Sequence, residues 1–130
     1  MHFKSNFEEL VFQAIKVSTL KHLIVKKEVQ WSKIFNDLHF KNRYVDFFFP
    51  QIQLIIEANG IQHYEPTSFT NDESMILGTF HNQQNRDRML LNLCSSHEVN
   101  IIVIPYTLND LDGIANFLNI KTGDLYGSKS

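Results

Sequence analysis

Apolar positions in this chain change period along its length. Phe7, Leu10, Val11, Ala14 and Ile15 recur at i, i+3, i+4, i+7 and i+8, the stripe of an amphipathic helix, and Ser5 with Glu8 fits a capping box at its start. Residues 23–30 read as a strand. Residues 31–40, with Ser32, Ile34, Phe35 and Leu38, suit either a short helix or an irregular insertion. Residues 43–49 are a β-rich run stopped by Pro50, and 53–58 are another. Asn59-Gly60 is the strongest turn signal; residues 61–64 continue beyond it, and 66–78, polar and punctuated by Pro66 and Gly78, read as a loop. Helical spacing returns over 81–98, where Met89, Leu90, Leu93 and Cys94 supply the apolar face. Residues 100–105 are a continuous apolar run, the pattern of a strand covered on both faces. A helix over 109–118 closes the pattern, and the tail from Lys121 is expected to fray.

The predicted order is α-β-β-β-α-β-α. It implies an α/β fold, a mixed central sheet flanked by helices, in a single domain over residues 1–130. The short link after Pro50 makes the second and third strands an antiparallel hairpin. A helical crossover before the fourth strand permits a parallel pairing.

Composition narrows the class. With 43% hydrophobic and 20% charged residues, the chain is expected to be globular rather than disordered. Cys94 is the one cysteine, so no intrachain disulfide can form, which fits a reducing cytoplasm. No apolar run approaches the roughly 20 residues that span a bilayer, so no membrane partner is expected. The net charge of −2 argues against a protein that coats nucleic acid, but not against basic residues gathered on one face.

Two acids interrupt the apolar pattern. Asp46 lies within the run 43–49, and Glu57 follows Leu54-Ile55-Ile56. A carboxylate in such surroundings is costly unless it is paired, hydrogen-bonded or bound to a metal. Side-chain alternation puts Tyr44, Asp46 and Phe48 on one face, and Ile55, Glu57 and Asn59 on one face of the next strand, so the hairpin can set Asp46 beside Glu57. Two adjacent carboxylates repel unless a proton or cation stands between them. Mg²⁺ suits such oxygen donors, and phosphodiester hydrolysis is the chemistry it serves.

With Asp46 and then Glu57-Ala58-Asn59 on a hairpin after a helix and a strand, the chain resembles the PD-(D/E)XK nucleases, whose core is that of restriction endonucleases. Glu57-x-Asn59-Gly60-x-Gln62-His63-Tyr64 is similar to the Glu-x-Asp-Gly-x-x-His stretch of small phage and bacterial endonucleases related to very-short-patch repair enzymes and phage homing endonucleases. The likeness extends to Glu8 on the first helix, to Asp87 and Cys94 on the later helix, and to Ile101-x-x-Ile104-Pro105-Tyr106, spanning roughly residues 5–106. It implies a Mg²⁺- or Mn²⁺-dependent DNA endonuclease. Asp46 and Glu57 would bind the metal, His63 would serve proton transfer or scissile-phosphate contact, Gln62 or His63 would substitute for the lysine that the family places two residues after Glu57, and Asp87 and Glu8 would complete the catalytic set. Lys41, Arg43, Asn59, Arg86 and Arg88 are the candidate nucleic-acid contacts. The implied setting is the cytoplasm of a bacterial host, with a phage-encoded protein as one origin. So small a domain would take its specificity from a homodimer or a larger assembly.

The chain departs from the family pattern at two places. Asn59 stands where a lysine is expected, and Leu90 where a basic residue is common. The rival reading is therefore an inactive module on the same fold that binds DNA or a protein partner. Simpler roles also exist for single residues: Glu8 as a capping residue, Asp87 as a helix-surface charge, and Cys94 as core.

Overall fold

A computed structural model of the chain describes residues 3–60 and 73–127. Helix α1 (Asn6–Val17) precedes β1 (Lys26–Gln30), the short helix α2 (Trp31–Phe35) and a 3₁₀ turn (Leu38–Phe40). Then come β2 (Tyr44–Phe49), β3 (Leu54–Asn59), α3 (Glu73–Ser96), β4 (Asn100–Pro105) and α4 (Leu111–Tyr126). The strands form one sheet in the order β1-β2-β3-β4. β1–β2 and β2–β3 are antiparallel, and β3–β4 is parallel. The fold is thus α/β with a mixed sheet flanked by helices, and no helix among the described residues is long and apolar enough to cross a membrane.

Alternating side chains on the hairpin build a core on each face of the sheet. Phe47, Phe49, Leu54 and Ile56 pack with α1 and α4, through Val11, Phe12, Ile15, Ile114 and Leu118. Val45, Phe48 and Ile55 pack on the other face with Trp31 and Phe35 of α2 and Leu90 and Cys94 of α3. Burying an aliphatic side chain of this size is worth about 1.5–3 kcal/mol.

Several boundaries differ from the sequence reading. Residues 31–40 resolve into α2 and the 3₁₀ turn. α3 begins at Glu73, inside the expected loop 66–78. Gly78 reads as punctuation, yet one glycine inside a long helix costs only about 1 kcal/mol. α3 ends at Ser96 rather than at 98, and Glu98 turns the chain with φ 58, the left-handed conformation common just after a helix. α4 runs to Tyr126, so the frayed tail expected from Lys121 is helical over most of its length. Thr122 is buried there, and the Tyr126 hydroxyl donates to the Ile52 carbonyl at 3.1 Å while accepting from Asn100 Nδ2 at 2.9 Å. Asn59 forms the last β3–β4 rung, opposite Pro105. The expected continuation at 61–64 lies outside the described residues.

Candidate functional site

The ladder between β2 and β3 runs from Phe49–Leu54 to Phe47–Ile56, and the next position brings Asp46 level with Glu57. There the carboxylates take over from the backbone. Glu57 Oε2 accepts from the Asp46 amide at 2.8 Å, and Asp46 Oδ2 accepts from the Ala58 amide at 2.8 Å. Each acid is therefore oriented by the other strand's backbone.

The sheet is irregular at the same level on its other side. Glu28, between the rungs Lys27–Phe47 and Val29–Val45, has φ 53, a left-handed conformation uncommon outside glycine. Val45 and Phe48 share one core while Phe47 belongs to the other, so strict alternation fails across Asp46. The expected common face of Tyr44, Asp46 and Phe48 is interrupted: Tyr44 is exposed, and Asp46 turns into a cavity.

That cavity encloses about 370 Å³, and its walls include Lys4, Glu8, Asp46, Glu57, Gln83 and Arg86. Glu57 is 4% exposed. Burial, reinforced by the Asp46 charge, pushes its carboxyl up to about 8 against the opposing pull of Arg86 and the Asp46 amide. Arg86 Nη1 donates to Glu57 Oε1 at 3.2 Å, and Nη2 donates to the Tyr44 carbonyl at 2.8 Å. The guanidinium also lies 5.1 Å from the centre of the buried Trp31 ring. Arg86, a candidate nucleic-acid contact in the sequence, is thus committed as the counter-ion of Glu57.

Glu8 reaches the same cavity. Ser5 caps α1 by accepting from the Glu8 amide at 3.1 Å, but the Glu8 carboxylate does not close a capping box. It turns inward, 2% exposed, and Lys27 Nζ of β1 sits 2.5 Å from its Oε1. This is a close ion pair in which Oε1 has no hydrogen bond of good direction. Burial alone would lower the Lys27 pKa; Glu8, with Glu28 adding to it, outweighs burial and raises it.

The donor set suits a hard divalent cation. Asp46 and Glu57 each have one oxygen tied to a backbone amide. The other oxygen faces a side-chain cation: Lys4 Nζ is 3.4 Å from Asp46 Oδ1, and Arg86 stands on Glu57 Oε1. Two positive side chains thus occupy the side of the carboxylates that a Mg²⁺ ion would take. Among the described residues no group of three or more His, Cys, Asp or Glu gathers to hold a metal. Two carboxylates alone would leave most of a hard cation's coordination to water.

The other sequence candidates fall in different places. Asp87 follows Arg86 on α3, where its Oδ1 accepts from Gln83 Nε2 at 3.0 Å and lies 3.5 Å from Arg86. With Glu57 and Asn59 it lines a neighbouring apolar cavity of about 290 Å³. Asn59 is buried, so it is not a surface contact. Arg88 is exposed and bonds Asn85 at 2.6 Å, while Arg43 lies over Trp31 and Lys41 is on the surface. None of these last three lines the carboxylate cavity. His63 and Gln62 lie outside the described residues. Cys94 is buried in the second core, as expected. Sequence reasoning missed Lys4, Lys27 and Gln83. Lys27 had a signal, because Val25-x-Lys27-x-Val29 sets a lysine into an apolar alternation.

No family model and no solved structure matches the chain. Two viral proteins are similar to it. Uncharacterized protein 307L of Invertebrate iridescent virus 6 is 36% identical over 72 residues, covering 54% of this chain and 34% of that protein. Uncharacterized protein 033L of Invertebrate iridescent virus 3 is 35% identical over 92 residues, covering 69% of this chain and 44% of that protein. The chain thus spans less than half the length of either relative.

Proposed function

We propose that this protein is a metal-dependent nuclease that hydrolyses DNA phosphodiester bonds on a restriction-endonuclease-like core of the PD-(D/E)XK type. The observation that carries the reading is the reciprocal hold of Asp46 and Glu57, which keeps two carboxylates adjacent at a cavity although their charges repel. Asp46 and Glu57 would hold Mg²⁺ or Mn²⁺. The ion would supply charge neutralisation and an acidified water.

The chain's own groups do the rest. Arg86 balances Glu57 and fixes its rotamer. Lys4 adds positive charge beside Asp46. The Glu8–Lys27 pair closes the back of the site without adding net charge. His63, six residues after Glu57, is our proposed proton carrier, with Gln62 contacting the phosphate. Asp87 positions Gln83 and Arg86. The two relatives come from viruses of invertebrates, so the viral setting we propose is broader than the bacterial, phage-encoded one implied by the resemblance. A homodimer or a larger assembly would supply sequence preference.

The test is a cleavage panel of labelled DNA structures with Mg²⁺ and Mn²⁺, run beside Glu57→Gln and Asp46→Ala. Both variants are expected to lose cleavage by at least about 100-fold while keeping their circular dichroism. Undiminished cleavage by Glu57→Gln overturns the assignment. One observation favours the inactive DNA- or protein-binding module: Arg86 already neutralises Glu57. Calorimetric titration with Mn²⁺, with and without DNA, separates the two, since the inactive module binds no metal in either case.

A further inference from the structure

The segment between β1 and β2 carries chemistry that the carboxylate site does not use. Residues 26–43 hold five basic side chains, Lys26, Lys27, Lys33, Lys41 and Arg43, against Glu28 and Asp37, in a chain of net charge −2. The charge is therefore concentrated on β1, α2 and the approach to β2. Asp37 lies 2.8 Å from His39, and Glu28 lies 3.4 Å from Lys27, which it shares with the buried Glu8. Lys27 is spent on Glu8. Lys26, Lys33 and Lys41 have no ion-pair partner among the described residues.

Lys26 and Lys33 stand on the walls of a groove of about 550 Å³ between β1 and α2. Its lining also includes Glu28, Ile34, Phe48 and Tyr44. Tyr44 is 43% exposed, and its hydroxyl lies 3.4 Å from Gln30 Nε2, which donates to the Lys41 carbonyl at 2.7 Å. The groove thus sets two ammonium groups without an ion-pair partner among the described residues beside an accessible aromatic ring, with Glu28 also in its wall.

We propose that this groove binds a single strand of nucleic acid, with backbone phosphates on Lys26 and Lys33 and a base on the ring of Tyr44. Phosphates call for free cations, and a ring can stack only on a base whose face is unpaired, which selects a single strand over a duplex. Tyr44 lies two residues before Asp46 on β2, roughly 7 Å along the strand. The binding needs neither metal nor hydrolysis, so it stands or falls separately from the nuclease reading.

Fluorescence anisotropy of a labelled single-stranded DNA oligonucleotide in EDTA, at several salt concentrations, tests it. The intact protein is expected to bind, with affinity falling as salt rises. Lys26→Ala/Lys33→Ala should weaken binding about tenfold and flatten the log–log salt slope by about 1.4, two phosphate contacts at roughly 0.7 each. Tyr44→Leu should weaken binding at least about fivefold and leave the slope unchanged. Lys21→Ala/Lys121→Ala, which removes as much charge elsewhere, should bind like the parent. No binding by the parent overturns the proposal, as does an equal loss in the Lys21/Lys121 control. Duplex DNA binding as tightly as the single strand, or polyglutamate displacing the oligonucleotide at equal charge, overturns it too. The first would make the groove a general phosphate surface and the second a site for acidic polypeptide.

Discussion

Glu57 accepts the amide of Asp46 and Asp46 accepts the amide next to Glu57, so each acid is held by the strand that carries the other. This exchange stands where the next backbone rung of the β2–β3 ladder would be. It satisfies amides that pairing would otherwise use and leaves one oxygen of each carboxylate toward the cavity.

Burial of Glu57, reinforced by the Asp46 charge, makes stability depend on pH. The folded-state pKa of Glu57 lies near 8, above its ordinary value of 4.5. Below 4.5 both states are protonated and the group is neutral to folding. Between 4.5 and 8 the unfolded chain releases the proton while the folded chain retains it, so stability falls as pH rises. Thermal melts should lose about 5 °C or more across that window, and Glu57→Gln should flatten the loss. Mg²⁺ added at pH 8 should raise the Tm of the parent and leave Glu57→Gln unmoved. A parent melt that is flat in pH rules out the raised Glu57 pKa.

The buried Glu8–Lys27 pair predicts a double-mutant signature. Lys27→Met leaves the Glu8 carboxylate, 2% exposed, without its cation. Urea denaturation should register a loss of about 3 kcal/mol. Combining it with Glu8→Gln should recover much of that loss, because no unpaired charge then remains. Additive losses in the double variant would show that the two side chains do not act as a pair.

Cys94 should be chemically silent in the native protein. Burial, with the Glu57 charge adding to it, pushes its thiol up to about 12, and it is 2% exposed. Iodoacetamide at neutral pH should label it only after denaturation. Rapid labelling of the folded chain would place it outside the core.

The end of α4 is anchored rather than frayed. Tyr126→Phe removes the hydroxyl that joins Ile52 to Asn100 and should cost about 1 kcal/mol. A chain cut after residue 120 should lose more, since Thr122 goes with it. Equal denaturation midpoints for the parent and the truncated chain would refute the anchor.

Much of this fold is legible in local pattern. The stripe from Phe7 to Ile15 and the apolar runs around Phe47 and Ile56 each specify an element and the faces it buries, because burial of apolar surface dominates and repeats with the local period. The run at 100–105 specifies a strand, but not its cover on both faces, since Ile102 and Ile104 are buried and Ile101 and Val103 only partly so. The pairing of Asp46 with Glu57 was also readable, since a short hairpin leaves few registers. Other features depend on neighbours distant in sequence. The fate of residues 121–126 hinges on a tyrosine reaching Ile52 across the sheet. Arg86 looks like a surface cation in its helix, and only the packing of α3 against Trp31 turns it onto Glu57. Glu8 reads as a cap until β1 brings Lys27 beside it. The sequence by itself determined the elements, the order of the hairpin and the two acids upon it, because those follow from spacing along one strand or helix. Tertiary structure alone decided which cation answers each acid, since a charge takes its partner from whatever the fold packs within a few ångströms, however far apart the two stand in the chain.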